Sequence, residues 1–294
     1  MVELLSLVTA LMYALSNIAI RKGLSFGSNA VTASTVSLVT TVVPFTILLF
    51  AVFPLSVWNL PSIFVFLAAG VLAPGLFRFF LYEAIAGIGI TVATNASHIY
   101  PLIAAAASIA FLNEKLTAFK AVGMGLALAA VFLSSPPRAK ESSFDFRHLR
   151  ERGFLLALAA AVCRGGSETL RKTGLLIFDA PLFGAAIGNI GGFAVSLVFV
   201  ASSASVRQAM LYERKSFICF MLGGLSAITA WIVGFYALSY GEVLRVTPVV
   251  GTVPLFTVLL SPVLLRGVER ITGRVVFASA LLVLGVVCMN LGSA

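Results

Sequence analysis

"FLNEKLTAFK" (residues 111–120) ends one long apolar run and opens another in a chain that otherwise carries few charges. "LRGVERITGR" (265–274) returns the same order of acid, base, aliphatic and threonine. Glu114-Lys115-Leu116-Thr117 becomes Glu269-Arg270-Ile271-Thr272, 155 residues further on and just over half the length of the 294-residue chain. A charged tetrad recurring at that distance points to a molecule built twice. The residues around it say of what.

The chain is 60% hydrophobic and only 11% charged, with a mean hydropathy of +1.07. Soluble domains are about one-quarter charged, so this sequence cannot cover a globular surface with polar groups. Apolar runs of roughly 18 residues or more recur, each long enough to cross about 30 Å of hydrocarbon. The bilayer core offers the backbone no water, so the spans must be helices. Sustained period-two alternation, the mark of a membrane barrel, is missing. The runs predict ten spans, at 3–20, 30–52, 62–82, 90–111, 117–134, 153–172, 181–201, 216–238, 244–265 and 273–291. One hydrophilic connection stands out, "SSPPRAKESSFDFRHLRERG" at 134–153, with two prolines and dense charge. It divides the chain into a five-span repeat at 1–134, a linker at 135–152 and a second repeat at 153–294.

The net charge of +9 is no nucleic-acid signal, because Lys and Arg cluster between apolar runs, where lipid headgroups would meet them. Cys163, Cys219 and Cys288 have no paired spacing and read as small core residues, not as a disulfide or metal framework. "MVELLSLVTALMYAL" at the N-terminus has Glu3 and no basic region, unlike a cleaved secretory signal.

Further blocks repeat. "ALSNIAIRKG" near the end of span 1 matches "GGSETLRKTG" near the end of span 6, set with Arg21-Lys22 on Arg171-Lys172 at an offset of 150. Tyr82 in "LYEAIAGIGI" falls on Tyr236 in "FYALSYGEVL" (154), and Pro101 in "HIYPL" on Pro254 in "GTVPL" (153). Five spans per half is an odd number, so the second half crosses the membrane in the opposite sense, an inverted repeat. The tetrad then sits in the short connection before the last span of each half. There Thr117 and Thr272 can cap that helix, with Glu114 and Glu269 near its positive end.

This arrangement resembles the drug/metabolite transporter superfamily, in particular its ten-helix EamA-type members. The likeness rests on "SNIAIRKG", on the block from Pro101 to "NEKLT", and on its second copy from Pro254 to "VERIT". The family pattern commonly has Gly before the acid, where this chain has Asn113 and Val268. The resemblance implies a secondary carrier in the cell membrane, without ATP or cofactor, that exports amino acids or other small metabolites through a cavity between the halves. It also implies cytoplasmic termini, whereas Lys and Arg are denser on the opposite side, which the positive-inside rule would place in the cytoplasm.

Polar residues inside the spans are the candidate substrate contacts, since charge at membrane depth is costly and marks a pathway or a partner. Arg78 follows Pro74-Gly75 and lies about a turn from Tyr82; it is either a snorkelling anchor or a cavity cation. Thr91, Asn95 and His98 form one helical stripe, and His98 is either a packing residue or a proton carrier. Span 1 offers Tyr13 and Asn17. Span 6 offers Arg164, Glu168 and Arg171, with Arg164–Glu168 expected as a pair and Arg21, Lys22, Arg171 and Lys172 expected as interfacial anchors. Tyr13, Tyr100 and Trp231 can pack an apolar moiety, and Tyr236 is a further candidate contact. Gly184, Gly188 and Gly192, and likewise Ala121, Gly125 and Ala129, read as helix-contact stripes. The prolines read as kinks.

Among function classes, a transporter of a small, amino-acid-like or other anionic metabolite leads, with proton coupling through His98 or Glu168. A flippase for lipid-linked substrates is the alternative. An intramembrane enzyme is disfavoured because both Asp residues, Asp145 and Asp179, lie between spans, and "GGSE" around Ser167, the hydrolase-like pairing with His98, lacks G-x-S-x-G spacing and an orienting acid; G-x-x-x-x-G-K-[ST] is missing too. The expected partners are the substrate, membrane lipids and at most a second copy of the chain, with no nucleic acid, metal or cofactor.

Overall fold

The computed structural model describes the chain apart from residues 29, 89–95, 98, 135–151, 203–212, 265–276, 278, 279, 282, 286 and 289–294; the side chains of 30, 31, 82, 83, 85–88, 131, 132, 134, 202, 254, 258, 261 and 262 are likewise outside the description. Every long regular element among the described residues is helical: α1 (Val2–Leu24), α2 (Ala30–Val52), α3 (Leu60–Gly70), α4 (Phe77–Ile88), α5 (Tyr100–Leu112), α6 (Ala118–Ser134), α7 (Arg152–Ile177), α8 (Pro181–Ser202), α9 (Arg214–Tyr240), α10 (Val243–Val250) and α11 (Val253–Leu264). With α3–α4 and α10–α11 as two broken spans, and helical residues between 277 and 288 as the last, there are ten spans. Five stretches are long and apolar enough to cross a membrane by length and composition: Val2–Leu24, Thr32–Val52, Leu60–Leu81, Pro181–Ala201 and Arg214–Tyr240.

The helix contacts obey a two-fold exchange of the repeats. Span 1 (α1) packs on span 8 (α9) as span 6 (α7) packs on span 3 (α3–α4), and α2 meets α8 across the middle. Individual bonds repeat too. Ser16 Oγ donates to the Gly223 carbonyl and Ser167 Oγ to the Ala69 carbonyl, each at 2.8 Å. A Cβ on Gly23 would lie 2.4 Å from the Phe220 ring, and one on Gly174 would lie 2.4 Å from the Phe66 ring. Asn59 caps α3 through Ser62 N–H (3.1 Å) and Glu213 caps α9 through Ser216 N–H (2.7 Å). Ser16 therefore answers to Ser167, and Gly23 to Gly174, an offset of 151. The expected match of Arg21-Lys22 with Arg171-Lys172 is one residue out. One residue is about 100° around a helix, so the slip moves Arg171 from the lipid boundary to the interior, opposite Ile20 in the first half.

Span 3 breaks at Ala73, whose backbone is extended (φ −147°, ψ 124°), before Pro74. Proline cannot donate and displaces the preceding turn. Ser167 Oγ reaches two carbonyls there, Ala69 O at 2.8 Å and Ala73 O at 3.3 Å, which offsets part of the lost helix bonding in a water-poor setting.

Lipid removes the apolar drive between helices, so close backbone approach carries the packing. The stripe Gly184–Gly188–Gly192 does this against span 3: a Cβ on Gly70 would stand 1.8 Å from Gly188 O, and one on Gly192 2.5 Å from Pro74 Cγ. Gly125 makes no such contact among the described residues, where a Cβ on it would meet nothing within 4 Å. Helix α6 turns a different face inward, and a Cβ on Gly285 would lie 2.8 Å from Gly123 O and 3.2 Å from Ala127 N.

Candidate functional site

Helix α7 supplies the charges. Arg164, Glu168 and Arg171 follow one another at i+4 and i+3; Glu168 and Arg171 are buried together with Ser167 and Thr169, and Arg164 is partly buried. Helical side chains lean toward the N-terminus of their helix. Arg164 therefore leans away from Glu168, and Arg171 leans toward it. The result corrects the expected Arg164–Glu168 pair: Arg171 Nη1 donates to Glu168 Oε2 at 2.7 Å. An acid on the N-terminal side of its base is also the better order on a helix.

Arg164 is held by aromatic faces instead. Its guanidinium carbon stands 4.3 Å from the Tyr100 ring centroid, 5.2 Å from Phe77 and 5.7 Å from Tyr13. These rings come from α5, α4 and α1, and Tyr100 O–H reaches the Thr247 carbonyl of α10 at 3.4 Å. Among the described residues, no carboxylate lies within ion-pairing distance of Arg164. Each cation–π contact contributes on the order of 0.5–2 kcal/mol, more where water is excluded, which offsets part of the several kcal/mol that burying an ion costs.

Arg171, expected at the lipid boundary, is only 4% exposed. Its guanidinium lies 4.1 Å from the Phe235 ring centroid and 4.6 Å from that of Trp231, both on α9. Gly234 makes the room: a Cβ there would come within 3.3 Å of Arg171 Nη2 and 3.2 Å of Thr9 Cγ2. Nε and Nη2 of Arg171 are buried and have no hydrogen-bond acceptor among the described residues. Each such donor costs about 1–3 kcal/mol. Lys172, its neighbour, is no anchor either; it donates to the Leu238 and Gly241 carbonyls at 2.7 and 2.8 Å and closes the C-terminus of α9.

Of the other expected contacts, Arg78 is half-buried and donates from Nη1 to Ser37 Oγ of α2 at 3.2 Å, so it points into the bundle and does not snorkel. Tyr13 and Trp231 join the charged centre. Asn17, one turn beyond Tyr13, is exposed. Tyr236 stacks on Tyr240, with ring centroids 6.4 Å apart. The side chain of Tyr82 lies outside the described residues, as do Thr91, Asn95 and His98. Phe77, Phe235 and Ser37 join the site without having been expected there. The matching "SN" and "SE" at 16–17 and 167–168 were the sequence signal that would have placed Arg171 inside.

A second charged cluster ties the halves together at the end of the bundle that holds residue 1. Glu114 accepts from the N–H groups of Val243 and Leu244. Lys120 pairs with Glu242, and Glu3 with Arg245. Thr117 does cap α6 as expected, through Lys120 N–H at 3.3 Å. Asn113 takes φ 54°, a left-handed conformation that Gly adopts freely and Asn tolerates, so the departure from the family's glycine leaves the turn intact.

One solved crystal structure superposes on the chain with a TM-score of 0.79 at 17% sequence identity, covering 99% of this chain and 96% of that one, which shows a shared fold. No curated protein matches the sequence. The EamA-like transporter family matches residues 1–135 and again 151–291. With both halves matched and spans 1–3 paired with spans 6–8 by repeat exchange, the chain belongs to the EamA-like transporter family and is a multi-pass membrane protein of the drug/metabolite transporter superfamily.

Proposed function

We propose that this transporter exports a small anionic or amino-acid-like metabolite across the cell membrane by alternating access between its two halves. The observation that carries the reading is Arg164: a cation inside the bundle, boxed by Tyr13, Phe77 and Tyr100 and without a carboxylate partner among the described residues. A substrate anion offsets the cost of that charge, and the rings accept its apolar part. Arg78 and Arg171 add positive charge nearby, against Glu168. Glu168 and His98 are the titratable groups through which a proton gradient would couple.

Proteoliposomes loaded with labelled amino acids, carboxylates and phosphate esters test this. The expected result is saturable efflux of an anionic or zwitterionic solute that Arg164→Ala abolishes and that collapse of the pH gradient reduces. Movement of a fluorescent lipid, with none of the soluble solutes, would replace this reading with the flippase one.

A further inference from the structure

We infer that the Nε–Nη2 edge of Arg171 is a carboxylate-docking fork for the transported solute. The inference rests on the transporter reading above and assigns the anion-binding group within it.

Three observations converge on Arg171. Its Nη1 is taken by Glu168, while Nε and Nη2 are buried and find no acceptor among the described residues. These two N–H groups lie along one side of the planar guanidinium and present the parallel pair of donors that the two oxygens of a carboxylate match. Trp231 and Phe235 lie over the guanidinium, which fixes the plane of the fork. Finally, the register set by Ser16–Ser167 and Gly23–Gly174 places Ile20 at the equivalent point of the first half, packed against α9 near Gly223. The repeat architecture itself therefore does not call for a cation at this point.

Charge and shape select the ligand class. Arg78, Arg164 and Arg171 supply three positive charges against the one negative charge of Glu168, so the centre draws an anion. The flat pair of donors on the fork matches the two oxygens of a carboxylate. Both free N–H groups are closed to solvent here, so a carboxylate reaches them only when α7 and α9 part during the transport cycle. Tyr13 and Arg164 face the same centre from α1 and α7, and Arg78 faces it from α4.

Trp231 is one of two tryptophans, the other being Trp58, so it reports on the fork in a Trp58→Phe background. The purified full chain is titrated with L-leucine, 4-methylpentanoate and leucinamide while Trp231 emission is followed. Leucine and 4-methylpentanoate should shift the emission saturably, and leucinamide, which lacks the carboxylate, should not. Arg171→Lys keeps the charge but loses the fork and should raise the half-saturating concentration at least tenfold. Glu168→Gln leaves Arg171 in place, removes the competing anion and should lower it severalfold. An equal response to leucinamide, no response to either carboxylate, or unchanged half-saturation in Glu168→Gln overturns the fork. Transport of labelled solutes in proteoliposomes separates the two ideas. Active transport with a silent Trp231 rejects the fork alone, whereas a carboxylate-specific Trp231 response without any transport supports the fork and rejects the export reading.

Discussion

The Glu114 carboxylate accepts hydrogen bonds from the backbone N–H groups of Val243 (2.7 Å) and Leu244 (2.9 Å), so an acid from the first repeat caps a helix of the second. The opening tetrad had suggested that this acid serves the start of its own span. It lies across the boundary instead, on the first turn of α10, where two otherwise orphaned donors and the positive helix end both favour a carboxylate. Glu114→Ala should lower the unfolding free energy by about 1–2 kcal/mol, and Glu114→Gln by less. Thermal unfolding in detergent reads both, and an unchanged midpoint for Glu114→Ala would show that water replaces the cap.

Lys120 and Glu242 form an unequal pair, with side-chain exposures of 7% and 45%. Neutralising Glu242 leaves the buried ammonium with the Lys115 carbonyl, 3.4 Å away, and no charged partner among the described residues, whereas neutralising Lys120 leaves a carboxylate that water can solvate. Glu242→Gln should therefore cost more than Lys120→Met, with the difference about 1–2 kcal/mol. Equal losses in the same unfolding assay would rule the asymmetry out.

Two glycines should respond in opposite ways to alanine. Gly70→Ala drives a Cβ to 1.8 Å from Gly188 O, a backbone atom with no rotamer to yield. The expected loss is about 3 kcal/mol or more, with aggregation during purification. Gly125→Ala meets nothing within 4 Å and should be neutral or slightly stabilising. Comparable yields and melting points for the two variants would contradict the helix contacts described.

The cap of α9 is pH-dependent. The backbone N–H of Ser216 holds the Glu213 carboxyl below its ordinary range, while the unfolded group titrates near about 4.3. A depressed folded value means that the contribution is complete above the unfolded value and disappears as pH falls through the folded one. Glu213→Gln should flatten that acid limb of the stability profile. An identical acid limb in the variant would assign it to other carboxylates.

At the centre, Arg164→Lys keeps the charge but loses the planar group that lies over Tyr100, and should retain some transport. Arg164→Ala and Arg78→Ala should each reduce transport at least tenfold while the protein still inserts and elutes as a single species. Normal transport by both alanine variants would make these arginines packing residues.

Composition and pattern settled the membrane class, the helical character and the duplication, because each follows from properties that every residue carries locally: transfer energy, backbone satisfaction and periodicity. The glycine stripe at Gly184–Gly188–Gly192 and the Thr117 cap were readable for the same reason, since both are set by spacing along one helix. Partners were not. Glu168 had a base four residues before it and another three residues after it, and only the lean of the side chains chose Arg171. Arg171 itself was misplaced by a single residue of register between spans 1 and 6, a slip invisible to composition that rotates a helix by about 100°. Whether an arginine meets lipid or the centre of the bundle is decided by the face its helix turns toward its neighbours. That face is fixed by contacts such as Ser167 with Ala69 and Gly174 with Phe66, which join residues about a hundred positions apart and exist only in the folded chain.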